Sequence, residues 1–343
     1  MRSSTSSSSR STRRSPRGLI FGLLAFIACA SLGPWLPPWG QLRFGALDRP
    51  TGPLPPGEWY ADYTPGRDAR SHRVLWYGIG NSIENARKAD VMFFGDSRSL
   101  FALPPEVTRP FFEQRGLRSF HMGFAAGERY AFALSVLRRH NLQPSIAVVD
   151  AGHFFEPGGT ALAQELAVKI ENWPAQRDHF ETAGEQLFET LFRPIFPHVL
   201  PMLFDHGSGR GRLDLRRSSD DGSWLVRRYR DGTYPLISEK VPLAEPLDLR
   251  AARRFQAHLE AYGGLLILTH VPSPAGGRAH VVSLAKQLGV PLVAPRPDGL
   301  TTSDGVHLAP ESAARFARAL LKGLEQTGVF ARFTAPPRAP ERP

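Results

Sequence analysis

A single serine stands where a buried strand is expected to give way to a helix. The stretch VMFFGDSRSLF, residues 91–101, starts with an apolar run and becomes polar after Gly95. An apolar run that stops on Gly and places a small nucleophilic residue at the strand-to-helix turn is typical of a catalytic serine at the end of a parallel strand. Ser97 is therefore the first candidate for chemistry.

A serine hydroxyl is a poor nucleophile at neutral pH, so it needs a base within hydrogen-bond reach and a group that orients the base. The stretch TTSDGVHLAPESAARFARALL, residues 301–321, places Asp304 and His307 on a loop just before a helix. This spacing allows the carboxylate to meet one imidazole nitrogen while the other nitrogen faces a cleft. Asp304 and His307 are therefore the candidate partners of Ser97.

Together, GDS at 95–97 and DGVH at 304–307 resemble the first and fifth sequence blocks of the SGNH (GDSL-type) hydrolases. The resemblance implies a flavodoxin-like three-layer α/β/α domain with a parallel sheet. It also implies that Ser97 is the nucleophile, that His307 is the general base and that Asp304 orients the base.

The second block of that family contributes a glycine whose backbone N–H helps to bind the oxyanion. HMGFAAGER, residues 121–129, offers Gly123 and Gly127, and the position before the next helix favours Gly127. Ala126 is the alternative donor. Either glycine can instead be present because its turn requires a positive φ.

In the third block the chain departs from the family pattern, because VVDAGHFFEP, residues 148–157, contains no Asn. His153 stands near that position and is a candidate oxyanion donor through a ring N–H, although a lone His is commonly structural. Arg98, next to the serine, is a candidate contact for an anionic or hydroxyl-rich acceptor, or else a solvated residue on the following helix.

Short apolar runs alternate with helical patterns along the rest of the chain. Strands are predicted within residues 91–94, 116–124, 145–155, 263–274 and 290–295, and helices within 80–87, 104–115, 127–142, 278–289 and 309–328. Such alternation predicts an α/β fold whose parallel sheet is covered on both faces.

Residues 157–249 interrupt this alternation and form a predicted insertion in a domain that spans residues 73–330. The insertion is rich in aromatic residues: Trp173, Phe180, Phe188, Phe192, Phe196 and Trp224. An insertion at this point of the chain would lie above the carboxyl ends of the strands, where ligands bind in open sheets. It is either a lid over the site or a satellite core.

The N-terminal residues indicate export. A basic, Ser-rich tail, residues 1–18, precedes the uncharged segment 19–36, which is near the minimum length that spans a bilayer. Three interpretations are open: an uncleaved signal anchor, which we favour, a signal peptide cut after Ala30, and a lipoprotein signal acylated at Cys29. The positive-inside rule places the rest of the chain outside the cytoplasm, on the periplasmic side of a bacterial inner membrane.

Residues 37–72 are rich in Pro and Gly and are predicted to form a stalk, and residues 331–343 form a Pro-rich tail. The formal charge of +10 includes five arginines that precede the apolar segment. No basic stripe interleaved with aromatic residues follows, so we expect no nucleic-acid partner. Cys29 is the sole cysteine. We therefore expect no disulfide and no Cys/His zinc site, and we expect no cofactor.

The sequence thus predicts a membrane-anchored esterase or O-acetyltransferase that acts on a cell-envelope or exopolysaccharide glycan. Its GDSR opening and altered third block are similar to those of membrane-tethered SGNH proteins from polysaccharide acetylation systems, a resemblance that implies an acyl donor supplied by a membrane acyltransferase partner. Two alternatives remain: a catalytically weak or inactive glycan-binding or scaffold subunit, and an esterase that acts on lipids at the membrane surface.

Overall fold

The computed structural model describes residues 59–61, 70–124, 128–160, 163, 166, 215–226, 234–236, 248–274 and 277–334. These residues belong to one compact unit that spans residues 50–343. No helix among them is long and apolar enough to cross a membrane. The predicted tail 1–18, the anchor 19–36, Gly127 and most of the insertion lie outside the described residues.

A four-stranded parallel sheet forms the centre of the unit. Its strands are β2 (Val91–Gly95), β3 (Ser119–Gly123), β4 (Ile146–Asp150) and β8 (Leu265–Thr269), in the spatial order β3-β2-β4-β8. Counted along the chain, this is the order 2-1-3-4 with which a flavodoxin-like sheet begins. The prediction of an α/β fold with a parallel sheet is confirmed.

The predicted fifth strand is much shorter than expected. Only Leu292 pairs with β8, through a parallel bridge to Leu268. The Leu268 N–H donates to the Pro291 carbonyl at 2.9 Å, and the Val293 N–H donates to the Leu268 carbonyl at 2.9 Å. Pro291 and Pro295 flank the bridge, and a proline has no N–H with which to extend a ladder.

Ten helices are described, and two of them are single turns. They are α1 (Arg70–Tyr77), α2 (Ser82–Arg87), α3 (Ser97–Ala102), α4 (Pro105–Glu113), α5 (Tyr130–Arg139), α6 (Ala151–Phe154), α7 (Leu249–Glu260), α8 (Arg278–Leu288), α9 (Pro310–Gln326) and α10 (Ala331–Thr334).

Each face of the sheet carries its own apolar core. Met92 and Phe94 of β2 pack into one core together with α1, α2, α5, α7 and α8. Val91 and Phe93 pack into the other core together with α4 and α9. Successive strand residues point to opposite faces, so a fully apolar strand supplies both cores. Helices therefore cover both sides of the sheet.

Part of the predicted stalk 37–72 belongs to the folded unit. Trp59–Ala61 forms strand β1, which pairs antiparallel with β5 (Leu215–Ser218), and Tyr60 is buried. The Arg109 guanidinium lies over the Trp59 ring, 5.3 Å from its centroid. Aromatic residues bury a large area when they pack, so this segment docks instead of remaining a spacer.

The described part of the insertion lies along an edge of the sheet. Strand β6 (Trp224–Val226) pairs with β5, and the turn between them meets β3 because the His121 N–H donates to the Asp221 carbonyl at 2.7 Å. The buried Arg217 donates to the carbonyl of Gly123 at 2.8 Å and to that of His121. The hairpin thereby satisfies backbone groups of an edge strand.

A further strand of the insertion, β7 (Tyr234–Pro235), pairs antiparallel with β9 (Thr301–Thr302). The sequence of residues 221–236 resembles a hairpin that is closed or flanked by Asp-Gly turns. In the structure Asp221 and Gly222 lie in the turn between β5 and β6, whereas β7 pairs with β9.

Candidate active site

The turn that carries the serine, Gly95–Arg98, is referred to as the serine turn. Strand β2 ends at Gly95, and Ser97 is the first residue of α3 and is 8% exposed. A Cβ on Gly95 would lie 2.5 Å from Ser99 Oγ and 3.1 Å from Asp150 Cβ. Only glycine therefore fits where α3 and β4 approach the end of β2.

Asp96 caps α3, since its Oδ1 accepts the Arg98 N–H at 2.9 Å. The same carboxylate receives the Arg98 guanidinium through Nε at 3.1 Å and Nη2 at 2.7 Å. Burial acts to raise the pKa of Asp96, but the charge and hydrogen bonds of Arg98 outweigh it and keep the pKa below its usual range. Asp96 therefore holds the serine turn as a buried carboxylate.

Arg98 is not placed as predicted for a contact with the acceptor. Its side chain is 5% exposed, and its Nη1 donates to Ser273 Oγ at 3.2 Å beyond β8. A guanidinium has five N–H donors in a rigid fork, and here the fork joins the ends of β2 and β8. Arg98 thus stabilises the serine turn through its contacts with Asp96 and Ser273.

Asp150 is a further buried carboxylate that the sequence analysis did not single out. It ends β4 and is 3% exposed, and its Oδ1 accepts the N–H groups of Gly152 at 3.3 Å and Val271 at 3.2 Å. Burial and the charge of Asp96 raise its pKa against the opposing charge of Arg98. The sequence did contain a signal for Asp150: one apolar strand ends on this Asp, and another ends on Gly95 followed by Asp96.

The histidine turn, Thr302–His307, is held by Asp304. Its Oδ1 accepts the N–H groups of Val306 at 3.0 Å and His307 at 2.8 Å, and its Oδ2 lies 2.7 Å from His307 Nδ1. Burial acts to raise the pKa of Asp304, but these hydrogen bonds outweigh it and lower the pKa. An ionised carboxylate only accepts, so the proton of the imidazole lies on Nδ1.

The serine turn and the histidine turn meet, although they are far apart in the sequence. Ser97 Oγ lies 2.9 Å from His307 Nε2. Because Nδ1 holds the proton, Nε2 is able to accept the Ser97 hydroxyl hydrogen. The structure therefore brings Ser97, His307 and Asp304 into one hydrogen-bonded chain, at the carboxyl ends of the strands.

Aromatic packing behind His307 was not foreseen from the sequence. The ring of Phe101 stacks on the imidazole with centroids 4.2 Å apart and an angle of 27° between the planes. The edge of Trp224, from the insertion, meets Phe101 at 5.7 Å. Phe101 stands four residues after Ser97, on the same helix face, and this spacing was the available signal.

His153 lies on α6 and its Nδ1 is 2.5 Å from Glu156 Oε1, while Glu156 Oε2 accepts from Arg129 at 2.8 Å. A carboxylate partner places the proton of the neutral ring on Nδ1. The Nε2 atom can then donate to an oxyanion only if the ring is protonated. This arrangement does not favour the predicted role of His153 as a neutral donor.

The predicted donor Gly127 lies outside the described residues, but the residue that follows it is firmly held. Glu128 is 3% exposed and accepts from His72 Nε2, and from Thr160 Oγ1, each at 2.8 Å. The alternative glycine, Gly123, ends β3, where a Cβ would lie 2.8 Å from Leu100 Cγ. Gly123 is therefore explained by close packing of α3 on β3.

Across the ranges described, no three His, Cys, Asp or Glu side chains are grouped so that they could hold a metal ion. The hydrogen-bonded chain that starts at Ser97 consists of a hydroxyl, an imidazole and a carboxylate. These are the groups of acyl-transfer chemistry by a serine nucleophile.

No protein-family model matches the chain, and no curated protein sequence matches it. Several solved structures are similar to it, among them the following two. A GDSL-like lipase from Bacteroides thetaiotaomicron shares 13% identity, covering 76% of this chain and 97% of its own, with a TM-score of 0.32. A "putative acylhydrolase" from Bacteroides fragilis shares 13% identity, covering 74% and 95%, with a TM-score of 0.28. At this level neither similarity determines the function.

Proposed function

We propose that this protein is an SGNH-type acyl esterase or O-acyltransferase that uses Ser97, His307 and Asp304. The observation that carries the proposal is the continuous hydrogen-bonded chain from Ser97 Oγ to His307 Nε2 at 2.9 Å and from His307 Nδ1 to Asp304 Oδ2 at 2.7 Å. These lengths fall within the reach that general-base catalysis requires.

In the proposed reaction, Ser97 Oγ attacks the ester carbonyl while His307 Nε2 takes the hydroxyl proton. Asp304 holds the imidazole and stabilises the imidazolium that forms. Collapse of the tetrahedral intermediate breaks the ester C–O bond, and the imidazolium gives its proton to the departing alcohol. Water or a sugar hydroxyl then attacks the acyl-serine, again with His307 as base, and restores the free serine.

The oxyanion needs N–H donors close to Ser97. The Ser97 N–H is the first of α3, and the first N–H groups of a helix have no acceptor within the helix. The residues 125–127 before Glu128 supply the second candidate, Gly127 or Ala126. The N–H of Gly152 already donates to Asp150. Each such donor commonly contributes about 3–4 kcal/mol to transition-state stabilisation.

The proposed substrate is a cell-envelope or exopolysaccharide glycan. The proposed location of the catalytic domain is the periplasmic side of a bacterial inner membrane, to which residues 19–36 anchor it. The uncharged segment behind an arginine-rich tail supports the anchor. A membrane acyltransferase that supplies the acyl donor is the partner that the resemblance to polysaccharide acetylation systems implies.

The test uses the full chain in detergent, with p-nitrophenyl acetate as donor and an oligosaccharide as acceptor. We expect release of p-nitrophenol that falls by about 10³-fold or more in Ser97→Ala. Ser135→Ala is the matched control, because Ser135 lies on α5, away from the site, and its hydroxyl donates to the Ala131 carbonyl. Mass spectrometry then separates acetylated sugar from free acetate. An undiminished rate in Ser97→Ala would refute the proposal.

One observation favours a second candidate function, a weak or inactive glycan-binding or scaffold subunit. The turn after β4 provides no Asn side chain, and the Gly152 N–H there is engaged by Asp150. This turn therefore offers the oxyanion neither an Asn amide nor an unengaged Gly152 N–H. Covalent labelling of Ser97 by a fluorophosphonate would contradict the scaffold function. The scaffold function would be supported if the wild-type chain showed no ester cleavage and if Ser97→Ala bound glycan as well as the wild type does.

A further inference from the structure

We infer that the insertion positions the candidate base: Trp224, acting through Phe101, sets the plane of the His307 ring, and strand β7 holds the turn that carries it. This inference deepens the proposed function and rests on it for its catalytic meaning. It assigns to the insertion a role other than that of a lid or a separate core.

The first step is the placement of Phe101 on the serine helix. Ser97 and Phe101 are four residues apart on α3 and therefore lie on one face of the helix. The hydroxyl meets His307 at its Nε2 atom, and the Phe101 ring lies against the imidazole plane at 4.2 Å and 27°. One helix face thus holds both an atom and the plane of the base.

The plane needs this support because the two hydrogen bonds leave one motion unrestrained. His307 is bonded at Nδ1 to Asp304 and at Nε2 to Ser97, and a tilt of the ring about the line through these two nitrogens keeps both donor–acceptor distances. Such a rotation worsens the alignment of the N–H and O–H groups. A stacked ring on one side limits the rotation, and a hydrogen bond weakens steeply as it bends.

Trp224 fixes Phe101 from the insertion side. It is 3% exposed and meets the Phe101 ring edge-on at 5.7 Å and 77°. Strand β6, which carries Trp224, is anchored to the edge of the sheet through its partner strand β5, where Arg217 donates to the Gly123 carbonyl. Trp224 therefore limits the movement of the Phe101 ring.

A second, separate contact joins the insertion to the histidine turn. Tyr234 of β7 pairs with Thr302 of β9, and the Leu236 N–H donates to the Leu300 carbonyl at 3.2 Å. The buried Thr302 hydroxyl donates to the Tyr234 carbonyl at 3.4 Å and accepts the Gly305 N–H at 3.2 Å. Thr302 thereby links the strand of the insertion to the turn that ends at His307.

The experiment compares Trp224→Leu with Trp224→Phe and with Leu259→Ala in the full chain. Leu259 lies on α7 beside the start of β8, at the end of the strands opposite the site, and is fully buried. We expect Trp224→Leu to lower kcat for ester cleavage by about 10- to 100-fold with little change in KM. Trp224→Phe restores an aromatic edge and should recover most of the rate, and Leu259→Ala should lower stability but not kcat.

A second readout does not depend on turnover. The chain is labelled with ¹⁵N-histidine, and the His307 signal is identified as the one lost in His307→Gln. We expect Trp224→Leu to shift the His307 ring signals, and Leu259→Ala to leave them in place. If the wild-type chain proves unreactive while this shift appears, the proposed function fails and the positioning role stands.

Thr302→Val provides an independent variant if Trp224→Leu does not fold. It removes only the hydroxyl that joins Tyr234 and Gly305, and Thr108→Val, which removes a buried hydroxyl bonded to the Pro104 carbonyl, is its control. We expect the same direction of change in kcat and in the His307 signals for Thr302→Val alone. The inference is overturned if folded Trp224→Leu or Thr302→Val leaves both the kcat and the His307 signals of the wild type unchanged.

Discussion

The serine turn and the histidine turn meet at 2.9 Å, yet they are held in different ways. In the serine turn, the Ser97 and Arg98 residues are 8% and 5% exposed. In the histidine turn, the side chains of Asp304 and His307 are 16% and 17% exposed, and Val306 is 47% exposed. One turn is buried within the sheet and its helices, whereas the other lies at the surface.

This difference determines what each turn depends on. The serine turn is supported by Arg98, which joins the ends of β2 and β8 close to Asp150 of β4. The histidine turn is supported by the two backbone N–H groups that Asp304 accepts and by strand β7 of the insertion. Damage to the serine turn should therefore cost folding free energy, and damage to the histidine turn should mainly cost activity.

The largest expected effect is on stability, from Arg98→Leu. This change leaves the Asp96 and Asp150 carboxyl groups buried without the guanidinium that faces both. Removal of one partner of a buried ion pair costs about 3–5 kcal/mol. We expect a loss of that size in the free energy of unfolding measured by denaturant titration.

Arg318→Leu is the matched control for Arg98→Leu, since Arg318 is exposed on α9. It should change stability by no more than about 0.5 kcal/mol. Arg98→Lys should fall between the two, because a lysine keeps the charge and loses the fork. A loss below about 1 kcal/mol in Arg98→Leu would break the comparison, since the serine turn would then not depend on its buried cation.

The next effect concerns His121 of β3. It lies on β3 beneath the hairpin of the insertion, and its ring stacks on Phe93. Three charged side chains also face it: Asp221, Arg217 and Arg109. Burial lowers the pKa of His121 from 6.5 to about 4. The hairpin of β5 and β6, which carries Trp224, is thus attached to the sheet over a histidine that resists protonation.

The sign of the pH dependence follows from that shift. Between pH 6.5 and about 4 the unfolded chain takes up a proton at this position and the folded chain does not, so stability falls as the pH falls. The full contribution of His121 is about 3 kcal/mol, present above pH 6.5 and lost by pH 4. Unfolding of wild type and His121→Phe, measured across this range, should diverge by that amount.

His140 and His258 also have pKa values lowered by burial, so the wild-type slope alone does not isolate His121. The pKa of Asp221 is lowered, so this carboxyl changes the stability only at pH values below those at which His121 does. Equal slopes in the wild type and in His121→Phe would show that the hairpin does not bury this histidine.

The sequence sufficed for features that follow from local patterns. Each central strand is a short apolar run, and α9 repeats its buried residues every three or four positions after Pro310. Ser97 and the distant His307 were expected to lie close together because a serine nucleophile needs a base within reach and because GDS and DGVH resemble two blocks of one family. That expectation matches the distance between them.

Other features depend on contacts that no local pattern reveals. Arg98 reads as a surface residue until Ser273, on another strand end, supplies its partner. Trp224 reads as core material until Phe101 is seen to link it to His307. The docking of β1 requires β5, which lies more than one hundred and fifty residues later in the chain. The residues that stabilise the candidate site are therefore held by contacts between distant parts of the chain.

The last prediction compares the two turns through their glycines. Gly95 has φ +155°, and a Cβ there would lie 2.5 Å from Ser99 Oγ and 2.8 Å from Ser99 Cβ. Gly305 has φ +86°, and a Cβ there would have no heavy atom within 4 Å. Both alanine variants incur strain from a positive φ, and only Gly95→Ala adds a clash inside the core.

We therefore expect Gly95→Ala to lose about 1–3 kcal/mol more of unfolding free energy than Gly305→Ala, which is the usual range for overpacking. Fluorophosphonate labelling of Ser97 should slow in Gly95→Ala as the start of α3 moves. Labelling of Gly305→Ala should also slow, because the Gly305 N–H donates to Thr302 in the histidine turn, but with a smaller loss of stability than in Gly95→Ala. If both variants lose equal stability, the serine turn is no more constrained than the exposed turn that faces it, and burial is not what separates them.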